Sequence, residues 1–163
     1  YELNKGWTVG KRLLQHERSM IGGIGGGQKT TSLEEYAQQY VGVDDSGKIA
    51  DASLRSEILS HRMNDKAFGL TTRRSVEESA TGNAPGATSS MFKYYGTEQN
   101  IGKYDLLLTI MGTQSIGWTG DGFEQDELNT TRAWLRSKAN SIEGGTSEVQ
   151  LNIIAKRVLG LPD

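Results

Sequence analysis

Two short stretches hold the residues whose types and spacing could do chemistry. The first is His16-Glu17-Arg18, near the front of the chain. Val9, Leu13, Met20 and Ile24 recur there at steps of four, seven and four, and Glu17 occupies the skipped place. A carboxylate on an otherwise apolar helical stripe is either half of an ion pair or a group whose pKa burial pushes up toward the range of a proton acceptor. Arg18 beside it offers a cation, and His16 reads as a polar flank. The second stretch is Ser141-Ile142-Glu143-Gly144-Gly145-Thr146-Ser147-Glu148-Val149-Gln150. Its glycine pair permits backbone conformations that a side chain forbids. Thr146 or Ser147 then offers a hydroxyl to cap a new helix, and Ser147 with Gln150 has the capping-box spacing. A glycine break opening onto a helix N-terminus presents backbone N–H groups, which suit a phosphate or another electron-rich group; the alternative is a simple capped turn.

Composition narrows what else the chain could do. Its 163 residues are enough for one domain with a real core. The net charge is −2 with the two signs interspersed, so there is no nucleic-acid footprint and no basic membrane patch. There is no cysteine, which excludes disulfides, thiolate nucleophiles and cysteine metal sites and is compatible with a cytoplasmic location. The two histidines, His16 and His61, are far apart, so no metal site is expected. No apolar run approaches the roughly 18 residues that a membrane span needs, and no signal-peptide pattern is present. The chain opens on Tyr1 directly into helical material, as a fragment of a longer polypeptide would.

The elements that must position these residues are helical. Apolar spacing predicts a helix over 6–24, ending in the glycines of Gly22 to Gly27. Ser32-Leu33-Glu34-Glu35 is a capping box that starts a short helix to about Tyr40, and a polar loop follows over 42–48. A long helix is expected from Ile49 to about Thr81, with Leu54, Ile58, Leu59, Met63, Ala67, Leu70, Val76 and Ala80 as its apolar stripe and its charges solvated. Gly82 to Gly86 is a turn. A second long helix, from about Thr88 to Ile116, has so broad an apolar face that it should be buried on more than one side. A helix over 125–141 follows. Beyond the glycine pair, Val149, Leu151, Ile153, Ile154, Val158 and Leu161 predict a last amphipathic helix closed by Gly160 and Pro162. The expected fold is all-α, an antiparallel four-helix bundle with extra short helices, spanning 1–163 as one domain.

Both ends of the chain resemble the C-terminal helical domain of the acyl-CoA dehydrogenases. Gly6-Trp7-Thr8-Val9 through Leu14-Gln15-His16-Glu17-Arg18 is similar to the first helix of that domain. Leu135-Arg136-Ser137-Lys138-Ala139-Asn140-Ser141-Ile142-Glu143-Gly144-Gly145-Thr146-Ser147-Glu148-Val149-Gln150 resembles the family signature, continued by Asn152-Ile153-Ile154-Ala155 and Val158-Leu159-Gly160-Leu161-Pro162. Ser90-Met91-Phe92-Lys93 matches the opening of a long bundle helix.

The resemblance implies a bacterial-type flavoenzyme of which this is the last third or half. Its reaction is α,β-dehydrogenation of an acyl-CoA thioester, with FAD as cofactor and an electron-transfer flavoprotein or similar acceptor as redox partner. The flavin would lie against Gly144, Gly145, Thr146 and Ser147. Many family members place the catalytic base directly before the Gly-Thr of the signature, where this chain has Gly144. A second group carries it on the first helix before an arginine, which here is Glu17 before Arg18. The resemblance therefore implies Glu17 as base, with Glu143 as the alternative, and Arg18 in the substrate region. Two family features differ: no arginine precedes a Phe-Gly by three residues between Lys29 and Leu54, and Thr109 stands at a place often held by glutamine. Both concern the inter-subunit half of the flavin site. They imply either a mixed assembly of two different subunits or a non-catalytic partner subunit of such an enzyme. Homo- or hetero-oligomerisation through the bundle is expected in each case.

Overall fold

The computed structural model describes residues 3–21, 32–81 and 88–162, with side chains described throughout except over 14–21. Six α-helices follow in order: α1 (Gly6–Ile21), α2 (Leu33–Tyr40), α3 (Ala52–Ala80), α4 (Thr88–Met111), α5 (Gln125–Lys138) and α6 (Ser147–Ile153). The fold is an all-α bundle, as the periodicity predicts. The expected glycine run over 22–27 and turn over 82–86 lie outside the described residues, as do the side chains of His16, Glu17 and Arg18. Among the described residues no helix is long and apolar enough to cross a membrane, and no cluster of three or more acidic or histidine side chains could hold a metal.

α4 is the hub, with α1, α2, α3, α5 and α6 all packed against it. This is the burial on several sides that its broad apolar face demands. The core is made of Leu33, Tyr36 and Ala37 from α2, Leu54 and Ile58 from α3, and Leu107, Ile110 and Met111 from α4, closed by Ile49. α5 adds a polar seam: Trp134 Nε1 donates to Asp105 Oδ1 at 2.6 Å, and Lys138 Nζ reaches the same oxygen at 2.7 Å.

Local hydrogen bonding sets the helix ends. Ser32 Oγ accepts from Glu35 N and Glu35 Oε2 accepts from Ser32 N, which completes the expected capping box. α3 begins three residues later than expected. Asp51 Oδ1 accepts from Leu54 N and caps it, while Ile49 pairs with Val43 across an isolated antiparallel bridge. α4 stops at Met111, because Gly112 takes a left-handed φ of 56°, and residues 112–116 tighten into a 3-10 turn.

The stripe expected on α3 divides in two. Leu54 and Ile58 face the core, and Phe68 packs on Phe92 and Tyr95 of α4 at 6.1 and 5.3 Å between ring centroids. Leu59, Met63 and Leu70 lie exposed on the other side of the helix. On α1, Trp7, Val9 and Leu13 are likewise exposed, so the described part of the Glu17 stripe faces out of this bundle instead of into it.

α2 and α5 are stitched by a buried acid. Tyr40 Oη donates to Glu127 Oε1 at 2.7 Å, while Glu127 Oε2 accepts from Glu124 N at 2.7 Å. Burial, then the bond to Glu127 and its negative charge, push the Tyr40 phenol above its usual pKa. Tyr40→Phe would leave the buried carboxylate one donor short. We expect it to lower stability by about 1.5–3 kcal/mol, read as a lower denaturation midpoint with unchanged cooperativity.

Candidate functional site

The candidate site is the turn between α5 and α6. Gly144 and Gly145 both take positive φ, 67° and 99°, so the glycine pair breaks the chain in the way its sequence predicts. Thr146 is the N-cap of α6, its hydroxyl accepting from Val149 N at 3.4 Å. Of the two capping choices the structure takes this one, because Gln150 is occupied elsewhere. Its Nε2 donates inward to Gly144 O at 3.0 Å and Gly145 O at 3.2 Å. The apolar stripe expected on the last helix is not buried. Val149, Leu151, Val158 and Leu161 are exposed, and residues 154–158 widen into a π turn closed by Gly160 at φ 65°. Among the described residues no helix covers that side.

The carboxylates around the turn are all engaged. Glu143 accepts from Arg136 Nη2 at 2.9 Å and from Asn140 Nδ2. Burial alone would raise the Glu143 carboxyl. The bonds from Arg136 and Asn140, with the charges of Arg136 and Lys93, outweigh it and hold the group below its ordinary value of 4.5. Glu98 accepts from Ser147 Oγ at 3.2 Å. Glu148 is held low by its own backbone N–H and then by the Thr146 hydroxyl. Asn140 is itself fixed to α4, its Oδ1 accepting from Asn100 Nδ2 at 3.2 Å and its backbone oxygen from Thr97 Oγ1 at 3.4 Å.

A group whose folded pKa is depressed stabilises the fold above its unfolded pKa and loses that contribution as pH falls through the folded value. Stability should therefore decline below pH 4.5, the ordinary value for Glu143. Arg136→Met should flatten that part of the profile, measured as denaturation midpoint against pH.

The structure brings Glu143, Gly144, Gly145, Thr146 and Ser147 together at one turn. Glu17 lies on α1, which packs on α4, the same helix that carries α6. Its distance from Gly144 involves a side chain outside the described residues, as does the place of Arg18. Sequence reasoning read Gln150 only as a capping-box member and gave Arg136, Asn140 and Lys93 no role of their own. Lys93 is 1% exposed beneath the site on α4, and Gln150 is 0% exposed. The helical pattern gave no signal for either, because the predicted apolar stripes do not include positions 93 and 150.

Comparison with known proteins decides the family. The family profile described as acyl-CoA dehydrogenase, C-terminal domain, matches residues 4–159. The chain belongs to the acyl-CoA dehydrogenase family. It is similar to the acyl-CoA dehydrogenase IpdE1 of Mycobacterium tuberculosis, 31% identical over 160 residues, covering 96% of this chain and 38% of that protein. It is also similar to the acyl-CoA dehydrogenase FadE34 of the same organism, 25% identical over 162 residues, covering 98% of this chain and 20% of that protein. Two solved structures share the fold. One is the ChsE4-ChsE5 complex from Mycobacterium tuberculosis, at TM-score 0.69 and 23% identity, covering 99% of this chain and 42% of that one. The other is a Tcur3481-Tcur3483 steroid ACAD variant, at TM-score 0.75 and 23% identity, with the same coverages. This acyl-CoA dehydrogenase C-terminal domain thus spans less than half the length of these relatives.

Proposed function

We propose that this is the C-terminal domain of an FAD-dependent enzyme that α,β-dehydrogenates an acyl-CoA thioester, with Glu17 as the base. The observation that carries the base assignment is the state of the other carboxylates. Position 144 has none, and Glu98, Glu143 and Glu148 are each held by hydrogen bonds within the turn and its supports. Glu143, the alternative base, is tied to Arg136 and Asn140 and lowered in pKa, the opposite of what a base near neutral pH needs. Glu17 follows Leu13 by one helical turn on α1, and the described part of that stripe, Val9 and Leu13, is exposed.

The turn suits a flavin. The N–H groups of Gly145, Thr146 and Ser147 have no acceptor among the described residues, and such donors match an electron-rich group. Gly144, Gly145, Thr146 and Ser147 would hold the cofactor, and the flavin, when bound, supplies the two-electron acceptor for the β-hydride. Glu17 takes the α-proton, Arg18 adds positive charge to the substrate region, and the bundle fixes the alignment. An electron-transfer flavoprotein or similar acceptor would reoxidise the enzyme in the cytoplasm. The exposed apolar residues of α1 and α3 support further protein surfaces against this bundle, in the same chain or in like or unlike subunits.

A second reading is a non-catalytic partner subunit that keeps the bundle for assembly. Thr109 in place of glutamine and the missing Phe-Gly arginine favour it. The absorption spectrum of the full-length protein separates the two. The enzyme reading expects a flavin spectrum that bleaches with some member of a panel of acyl-CoA thioesters. Failure to hold flavin, alone or with a partner subunit, would overturn it and leave the assembly role.

A further inference from the structure

We infer that Gln150 is the positioning residue of the Gly144-Gly145 turn, aiming consecutive backbone N–H groups at the ligand. The inference rests on the proposed flavin site for the identity of that ligand, and on the hydrogen bonds of Gln150 for the rest. A glutamine amide has two N–H donors. Both go to successive carbonyls, Gly144 O at 3.0 Å and Gly145 O at 3.2 Å. A trans peptide is planar, with its N–H opposite its C=O. Drawing these two carbonyls inward therefore turns the N–H groups of Gly145 and Thr146 outward, away from α6. Those are two of the donors that find no acceptor among the described residues. The positive φ at both glycines, 67° and 99°, is the backbone state that lets two carbonyls in a row reach one amide.

The polarity of Gln150 serves this and nothing else visible in the fold. The side chain is 0% exposed, and its Oε1 is buried with no partner among the described residues. A residue present for packing alone would be apolar at this depth, since a buried acceptor without a donor opposes folding. The amide also sits where Thr146 O accepts from Gln150 N at 3.0 Å, so the first turn of α6 holds the clamp rigid. Lys93, buried on α4, adds a small share to the lowered pKa of Glu143, behind the bonds from Arg136 and Asn140, and of Glu148, behind its backbone N–H and the Thr146 hydroxyl.

The test compares wild type with Gln150→Met and Gln150→Glu in the full-length protein. Methionine keeps the length and removes both donors. Glutamate keeps the shape, lacks donors when ionised and regains one when protonated. We expect Gln150→Met to weaken FAD binding to the apoprotein by a factor of about ten, the worth of one hydrogen bond, and to shift the bound flavin absorption band. Amide exchange over residues 141–149 should speed up in the apoprotein, with the other helices unchanged. In Gln150→Glu, FAD affinity should recover as pH falls and the carboxyl protonates, a dependence that wild type lacks. Wild-type affinity, band position and exchange in both variants would overturn the inference, as would a loss in Gln150→Glu that no pH restores. Should Gln150→Met fail to fold, the pH response of Gln150→Glu decides. If the wild-type protein takes up no FAD, the proposed function falls with the flavin half of the inference, while the exchange rates of the apoprotein still decide whether Gln150 holds the turn.

Discussion

Glu17→Gln in the full-length protein should slow α,β-dehydrogenation by about 10²–10⁴-fold, the range that general-base catalysis contributes. Glutamine matches glutamate in shape but cannot take a proton, so substrate and flavin should still bind while kcat falls. The reading is sharpest as flavin bleaching under single turnover, where chemistry is separated from product release. Glu143→Gln is the control. Its carboxylate is bound to Arg136 and Asn140, so its loss should leave bleaching close to wild type and act on stability instead. Undiminished bleaching in Glu17→Gln, or the large loss falling on Glu143→Gln, would move the base away from α1.

Ile110→Ala should be the most damaging single change to the fold. Ile110 is 3% exposed on the hub helix, in the cluster where Leu33 and Ala37 of α2 meet Leu54 and Ile58 of α3. Truncation removes transfer free energy and leaves a cavity that three helices cannot all close at once. The expected loss is about 2–5 kcal/mol, or about 4–20 °C in melting temperature for a domain of this size. Thermal unfolding followed by helical signal measures it. A change of under about 1 kcal/mol would mean that α4 is not the packing centre.

How much was legible beforehand follows from the range of the forces involved. The capping box at Ser32 and Glu35, the glycine break at 144 and 145 and the close of the last turn at Gly160 were readable, because each rests on a few neighbouring residues. The family was readable for the same reason, since its signature is a contiguous run from Leu135 to Gln150. The absence of a carboxylate at 144, and with it the attention drawn to Glu17, needed no coordinates.

Other features depend on which helix lands on which face. Periodicity marked one stripe on α3 and could not say that Leu54 and Ile58 would be buried while Leu59, Met63 and Leu70 stayed out. Nor could it place Val9 and Leu13 on an outward face of α1. Burial is set by partners distant in sequence, which periodicity does not register. The two site residues read differently for the same reason. Gln150 has the spacing of a capping-box member, yet its amide turns inward to Gly144 and Gly145. Glu143 has the chemistry of a base, yet Arg136 and Asn140 hold its carboxylate. Sequence determined which groups stand at this turn, because that is a matter of covalent order. Only the tertiary structure decided which of them are already engaged, because a hydrogen bond depends on where the rest of the chain places its donor.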